Sequence, residues 1–186
     1  FASRGEGRLS GSRRLKRLET ETQRAFSGAP MSEPAFAAFQ DVASRHAIPP
    51  RLAFDHLEGF AMDVRETRYD TLADTLRYCY HVAGVVGLMM ARVMGVDDES
   101  VLERACDLGL AFQLTNRARD IVEDAQTGRC DLPAQWLAEE GIIAAQIADP
   151  VYRDKLARLA QRLVAAAEPY YASARAGLPD RSEGHT

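Results

Sequence analysis

Leu108 to Asp124 reads LGLAFQLTNRARDIVED, an apolar run that turns polar along one side. Read as a helix, it places Gln113, Asn116, Asp120 and Asp124 at i, i+3, i+7 and i+11, on one face. Leu110, Leu114, Ile121 and Ala125, with Ala105 and Phe112 toward the start, supply apolar flanks. Carboxylates four residues apart on a helix have their Cβ atoms roughly 5–6 Å apart. At an effective dielectric of about 20, their repulsion is on the order of 3 kcal/mol when both are ionised and nothing intervenes. A positive charge beside them is therefore expected, supplied by Arg117, by Arg119 or by a divalent cation.

An Asp pair at this spacing is, by itself, most often a solvated face. Its surroundings point further. The carboxylates continue an amide-bearing stripe, Gln113 and Asn116, and the stretch then meets a Thr127-Gly128-Arg129 turn and a Leu132-Pro133 break. Amide and carboxylate oxygens suit a hard ion such as Mg²⁺, which takes one or two protein carboxylates and fills its other positions with water and phosphate oxygens. A Mg²⁺–diphosphate site is the functional reading, and a solvated face the alternative.

Composition narrows the class. A chain of 186 residues, 46% hydrophobic and 27% charged, fits one globular domain. A net charge of −4, with Arg13-Arg14-Leu15-Lys16-Arg17 as a short basic cluster, argues against nucleic-acid binding. Cys79, Cys106 and Cys130 form no CxxC and are odd in number, so a reducing cytoplasm fits better than a disulfide framework. The residues after Phe1 are rich in Arg, Gly and Ser, unlike a secretory leader. The longest apolar run, Val82 to Ala91, falls short of the about 20 residues a spanning helix needs and reads as a core helix.

Elsewhere the pattern is helical, with no strand alternation and no repeat. Ala2 to Ser12 reads as a Gly/Ser/Arg loop, and a helix is expected from Arg13 to Phe26, ended by Ser27-Gly28. A second helix is expected from Ser32 as N-cap, with Phe36, Phe39, Val42 and Ala43 facing inward and His46 at its end. A third runs from about Pro50 to Val64, with His56 and Glu58 on a surface ion-pair face. Asp70-Thr71-Leu72-Ala73-Asp74 repeats the Asp spacing but opens a helix, where Asp caps free N–H groups. That helix continues to Val93, closed by Gly95. Gly84 and Gly87 inside it imply a close approach by a neighbouring helix or by a long apolar ligand. Asp97-Asp98-Glu99-Ser100 starts the central helix. A final amphipathic helix, about Val151 to Ala174, faces Leu156, Leu159, Leu163, Val164 and Ala167 inward. Its basic side (Arg153, Lys155, Arg158, Arg162) reads as a solvated face, with a membrane surface as the second reading. Leu178 to Thr186 reads as a frayed end.

Three segments together resemble the squalene/phytoene synthase family, most closely its bacterial phytoene synthases. Gln113-Leu114-Thr115-Asn116, Arg119-Asp120, Glu123-Asp124, Gly128-Arg129 and Leu132-Pro133 are similar to the family's second aspartate-rich motif. Tyr78 to Gly87 (YCYHVAGVVG) is similar to its tyrosine-containing helix, and Phe54 to Val64 (FDHLEGFAMDV) to the segment before it. The resemblance implies an all-α fold of the isoprenoid synthase type and a prenyltransferase of carotenoid biosynthesis. Such an enzyme joins two geranylgeranyl diphosphates head to head into phytoene, through a cyclopropyl diphosphate intermediate. A C30 product of the squalene or dehydrosqualene type is the alternative within the enzyme class, and a non-catalytic helical scaffold the alternative outside it. The protein is expected in the cytoplasm, with contact at the inner membrane surface as a further possibility.

By that resemblance Asn116, Asp120 and Asp124 would hold Mg²⁺, with Mn²⁺ as a substitute, and Asp120, Asp124 and Tyr78 would be catalytic. Gln113 would touch the substrate or support the ligands from behind, and Arg119 would contact the diphosphate or balance charge. Tyr78, Val82 and Val86 would line the hydrocarbon pocket, with Asp63 at its rim. Arg117 stands where the family has an apolar residue, which puts a cation on a helix side expected to pack, and Asp131 where it has a tyrosine, which adds a third carboxylate near the metal. The resemblance runs from about Leu9 to about Ala176, which makes 1–186 a single partial domain with 1–8 and 177–186 as loose ends. The family's first aspartate-rich cluster would lie upstream of Leu9. Little or no synthase activity is therefore expected of this piece alone.

Overall fold

The computed structural model describes residues 2–127 and 129–177, over 2–9 by the backbone alone. Eight α-helices follow one another among the described residues: α1 Ala2–Phe26, α2 Pro34–Arg45, α3 Pro50–Val64, α4 Leu72–Cys79, α5 Val85–Val93, α6 Glu99–Gln126, α7 Ala134–Glu139 and α8 Arg153–Ala176. A π-helical turn, Tyr80–Gly84, joins α4 to α5, and short 3₁₀ turns at Ala144–Gln146 and Pro150–Tyr152 lead into α8. No strand occurs among the described residues. The fold is all-α, as the periodicity predicts.

The quoted stretch lies in α6, which is the central rod. It packs along α8 on one side and along α4–α5 on the other. Between them lies the main core, where Leu114 and Ala111 of α6 meet Leu159, Leu163 and Ala167 of α8, with Trp136 of α7 closing one end. Burying one such leucine contributes about 1.5–3 kcal/mol, so this row outweighs any single polar contact on the surface. Val164, expected inward, is 43% exposed: it follows Leu163 by one position, about 100° around the helix, and so leaves the core stripe.

The glycines answer to a neighbouring helix. A Cβ on Gly87 would come 2.2 Å from the Ala105 carbonyl oxygen, and one on Gly109 would come 2.4 Å from that of Ala83. The backbones of α5 and α6 therefore touch where only glycine fits, and the ligand reading of Gly84 and Gly87 gives way to helix packing.

Helix starts differ from expectation in detail. α1 begins at Ala2 rather than Arg13, and a Cβ on Gly11 would come 3.3 Å from Val64 Cγ2 at the end of α3, a tight contact. α2 has Glu33, not Ser32, at its N-cap, and Pro34 opens the first turn without a side-chain cap. At α4 the cap is Thr71 rather than Asp70. Asp74 N–H donates to Thr71 Oγ1 at 3.2 Å and Thr71 N–H donates to Asp74 Oδ2 at 3.1 Å, a complete capping box. Asp98 caps α6, accepting from Ser100 N at 2.8 Å. His56 does not join a surface ion pair: its Nδ1 lies 3.0 Å from the His81 carbonyl oxygen and ties α3 to the π turn, whereas Glu58 pairs with Arg65 at 2.5 Å. The end from Leu178 to Thr186 lies outside the described residues.

Candidate active site

Gln113, Asn116, Asp120 and Asp124 follow one another along one face of α6. Asn116 is exposed, and the other three are half-buried. The repulsion expected between Asp120 and Asp124 is relieved by both arginines, one for each carboxylate. Arg119 forks onto Asp120, with Nε to Oδ1 at 2.5 Å and Nη2 to Oδ2 at 2.8 Å. That hydrogen bond holds the Asp120 carboxyl below the usual aspartate range. Arg117 Nη1 donates to Asp124 Oδ2 at 3.0 Å. The two pairs differ in surroundings: the Arg119 side chain is 71% exposed and that of Arg117 only 16%.

Arg117 stands at the centre of a second shell of charge. Its Nη1 lies 2.7 Å from Asp131 Oδ2, and its Nη2 donates weakly to the Tyr78 hydroxyl at 3.4 Å. In the amide orientation that satisfies both groups, Gln113 accepts from Arg117 Nη2 at 2.9 Å and Nε at 3.1 Å. The guanidinium also sits over the Tyr78 ring, 5.5 Å from its centroid. Arg129 enters from the loop, donating to Asp63 Oδ1 at 2.5 Å and to the Tyr78 hydroxyl at 2.7 Å. Tyr78 in turn donates to Asp63 Oδ1 at 2.9 Å.

Burial shapes the titration of this network. Tyr78 is almost wholly enclosed beside Tyr69 and Met62, and burial followed by the Asp63 charge raises its phenol, so it stays protonated at neutral pH. Asp131 is raised by burial, against the pull of Arg117 and Arg129. Its Oδ2 is near both guanidiniums, Arg129 Nε being at 3.7 Å, yet no N–H is aligned on it, and it is left without a hydrogen bond inside the protein. Arg129 is depressed by burial and lifted further by Tyr78, Asp131 and Asp63, with a net rise.

The sequence-derived candidates therefore fall into groups. Gln113, Asp124, Tyr78 and Asp63 meet through the two arginines, and Arg119 meets Asp120 on the outer side. Val82 packs with Tyr78, Met62 and Tyr69 and faces Gly59 across to α3. Val86 is half-buried beyond the π turn, whose extra residue breaks the even i, i+4, i+8 stripe. Asp131, which the sequence marks as a third carboxylate near the expected ion, is held here by Arg117 and Arg129, and Arg129 has no role in the sequence reading; both lie in the Gly-Arg turn and its continuation. The readable signal was a carboxylate set directly before the Leu132-Pro133 break, in a loop otherwise headed into the core. A small cleft beside the network is lined by Arg117, Asp124, Arg129 and Asp131 with Ile121 and Leu132.

The donor chemistry of the α6 row, two carboxylates and an amide on one face, fits a hard divalent ion. Among the described residues no three His, Cys, Asp or Glu side chains converge on one point. Such an ion would therefore depend on Asp120, Asp124 and Asn116, with water and diphosphate completing its shell.

The chain belongs to the squalene/phytoene synthase family, whose model matches residues 3–185. It is 63% identical over 180 residues to a phytoene synthase of Pseudescherichia vulneris, covering 97% of this chain and 58% of that protein. It is 67% identical over 170 residues to a 15-cis-phytoene synthase of Enterobacter agglomerans, covering 91% and 57%. A crystal structure of a dehydrosqualene synthase in complex with ligand superposes with a TM-score of 0.77 at 29% identity, over 86% of this chain and 56% of that one. The chain thus spans less than three fifths of the length of the curated relatives it matches. Phytoene synthases are prenyltransferases, an enzyme class that generally uses divalent metal ions. No described helix is long and apolar enough to cross a membrane.

Proposed function

We propose that this chain is the diphosphate-gripping part of a phytoene synthase, which condenses two geranylgeranyl diphosphates head to head. The observation that carries the reading is the α6 oxygen row, Asn116, Asp120 and Asp124, standing intact in a chain so similar to phytoene synthases. Mg²⁺ held there, or Mn²⁺ in its place, would act as a Lewis acid that neutralises charge on the departing diphosphate.

The chain's own residues do the rest. Arg119, exposed on its fork with Asp120, is placed to turn its guanidinium onto a diphosphate oxygen. Gln113 orients Arg117 from the neighbouring turn of α6. Tyr78, kept protonated by burial, donates to Asp63 and holds α4 against α3, which positions the rim. Its ring, with Val82 and Val86, would flank the prenyl chain and exclude the water that quenches an allylic cation.

The dehydrosqualene synthase likeness favours a second reading within the same chemistry, a C30 product from farnesyl diphosphate. On α8, Lys155 donates to the Glu140 carbonyl oxygen at 2.6 Å, Arg158 pairs with Glu140 at 2.7 Å, and Arg162 pairs with Glu139 at 2.5 Å. Contact with a membrane surface through that face would have to compete with these pairs, so the solvated reading is preferred.

The test is binding of a non-hydrolysable geranylgeranyl thiodiphosphate by calorimetry. Mg²⁺-dependent binding that disappears in Asp120→Asn/Asp124→Asn supports the reading. Binding that ignores both Mg²⁺ and these carboxylates overturns it and leaves the scaffold alternative.

A further inference from the structure

We propose that Arg117 is a built-in counter-ion latch on Asp124: a divalent ion engages the α6 oxygen row by displacing the Arg117 guanidinium, which is then received by Asp131. The inference rests on the ion reading of that row.

Three observations carry it. First, Arg117 is an enclosed cation, 16% exposed, shared at 3.0 and 2.7 Å between Asp124 and Asp131. It lies where a cation bound to Asp124 would have to compete with it. Second, Asp131 is an enclosed carboxylate, 8% exposed, whose Oδ2 lies near Arg117 but carries no aligned hydrogen bond. A buried charged acceptor in this state is costly, and a small turn of the guanidinium away from Asp124 would align the missing bond. Third, the charges count unevenly. Among the described residues, the guanidiniums that pair with Asp63, Asp124 and Asp131 are those of Arg117 and Arg129, so three carboxylates share two cations. With Arg117 on Asp131 and Arg129 on Asp63, the carboxylate left over is that of Asp124, on the same face as Asp120 and Asn116.

Asp120 has no such device. Its partner Arg119 is exposed, and water can replace it. The two carboxylates of one row are therefore released at different cost, and Arg117 sets the ion affinity of the row by withholding the inner one.

The test is Mn²⁺ binding to the 186-residue chain, read from the electron paramagnetic resonance signal of the free aquo ion. The variants are Arg117→Leu/Asp131→Val, which removes the pair without stranding either charge, and Arg117→Lys, which keeps the cation. Melting curves verify that both are folded. The double variant is expected to bind Mn²⁺ about tenfold more tightly than the wild type, the scale set by losing one adjacent positive charge in a half-buried site. Arg117→Lys is expected to stay near wild type. Unchanged affinity in the double variant, or equal tightening in Arg117→Lys, overturns the latch while leaving the ion site standing. If Mn²⁺ binding is indifferent to Asp120→Asn/Asp124→Asn in the wild type and in the double variant alike, the ion reading of the row falls and the latch with it.

Discussion

Two Asp-x-x-x-Asp pairs with the same spacing, Asp70/Asp74 and Asp120/Asp124, have different fates in this molecule. The first straddles a helix start. There Asp74 Oδ2 accepts from the backbone N–H groups of Asp70 at 3.2 Å and of Thr71 at 3.1 Å, and from the Thr71 hydroxyl at 3.1 Å. Those bonds, with the Thr71 backbone contact foremost, hold its carboxyl below the ordinary aspartate range. The second pair lies near the end of a 28-residue helix whose backbone N–H groups are already spent on the preceding turn. Its carboxylates must be satisfied by side chains, by water or by an ion. Position along the helix, rather than spacing, decides whether such a pair is a cap or a site.

That contrast can be broken by mutation, the largest effect coming from the inner shell of the second pair. Arg117→Leu strands Asp131 inside the protein and is expected to cost about 3–5 kcal/mol in urea unfolding, because an unpaired buried charge remains. Arg117→Leu/Asp131→Val removes both charges together and should unfold at wild-type urea concentration or above, since apolar replacement of a buried pair is neutral or stabilising by about 1–4 kcal/mol. At the first pair the effect is smaller. Thr71→Ala takes away the α4 cap and is expected to cost about 1 kcal/mol in the same measurement.

A pH series sharpens the comparison further. Asp131 has its folded pKa raised above the unfolded value of 3.8, with burial as the main cause. Its contribution to stability is therefore fully present below pH 3.8 and lost as pH rises through the folded pKa. Asp131→Asn escapes that loss. The difference in Tm, variant minus wild type, should grow from acid toward neutral pH, and a flat difference would show that Asp131 titrates normally. The smallest change in stability belongs to Asp120→Asn, an exposed pair whose loss leaves Tm at neutral pH nearly unmoved. The same variant should nonetheless abolish Mg²⁺-dependent binding of the prenyl thiodiphosphate. Stability and ligand binding are thereby separated at one residue.

Much of the molecule was legible from periodicity. The helices of α3, α4–α5, α6 and α8 follow their apolar spacing, and Gly95, at φ +84°, closes α5 as its position predicts. The Asp120/Asp124 repulsion was legible too, with Arg117, Arg119 or a divalent ion as the candidates to relieve it. Three features were not. α1 reaches back to Ala2 through a glycine-bearing start that reads as a loop in the sequence. His56 serves a carbonyl on another helix, a partner 25 residues away. Arg129 and Asp131 join the site through a turn whose direction depends on where α7 docks, with Ala134 N–H donating to the Tyr69 carbonyl oxygen at 2.8 Å.

The sequence by itself determined an all-helical chain, its central rod and the single face on which Gln113, Asn116, Asp120 and Asp124 stand, because helical spacing is a local property written every few residues. Only the tertiary structure decided which cation serves which carboxylate. Arg117 is half-buried and Arg119 exposed because α4, α6 and the loop after α6 close over one and not the other, and burial changes the energy of a charge far more than its neighbours in sequence do.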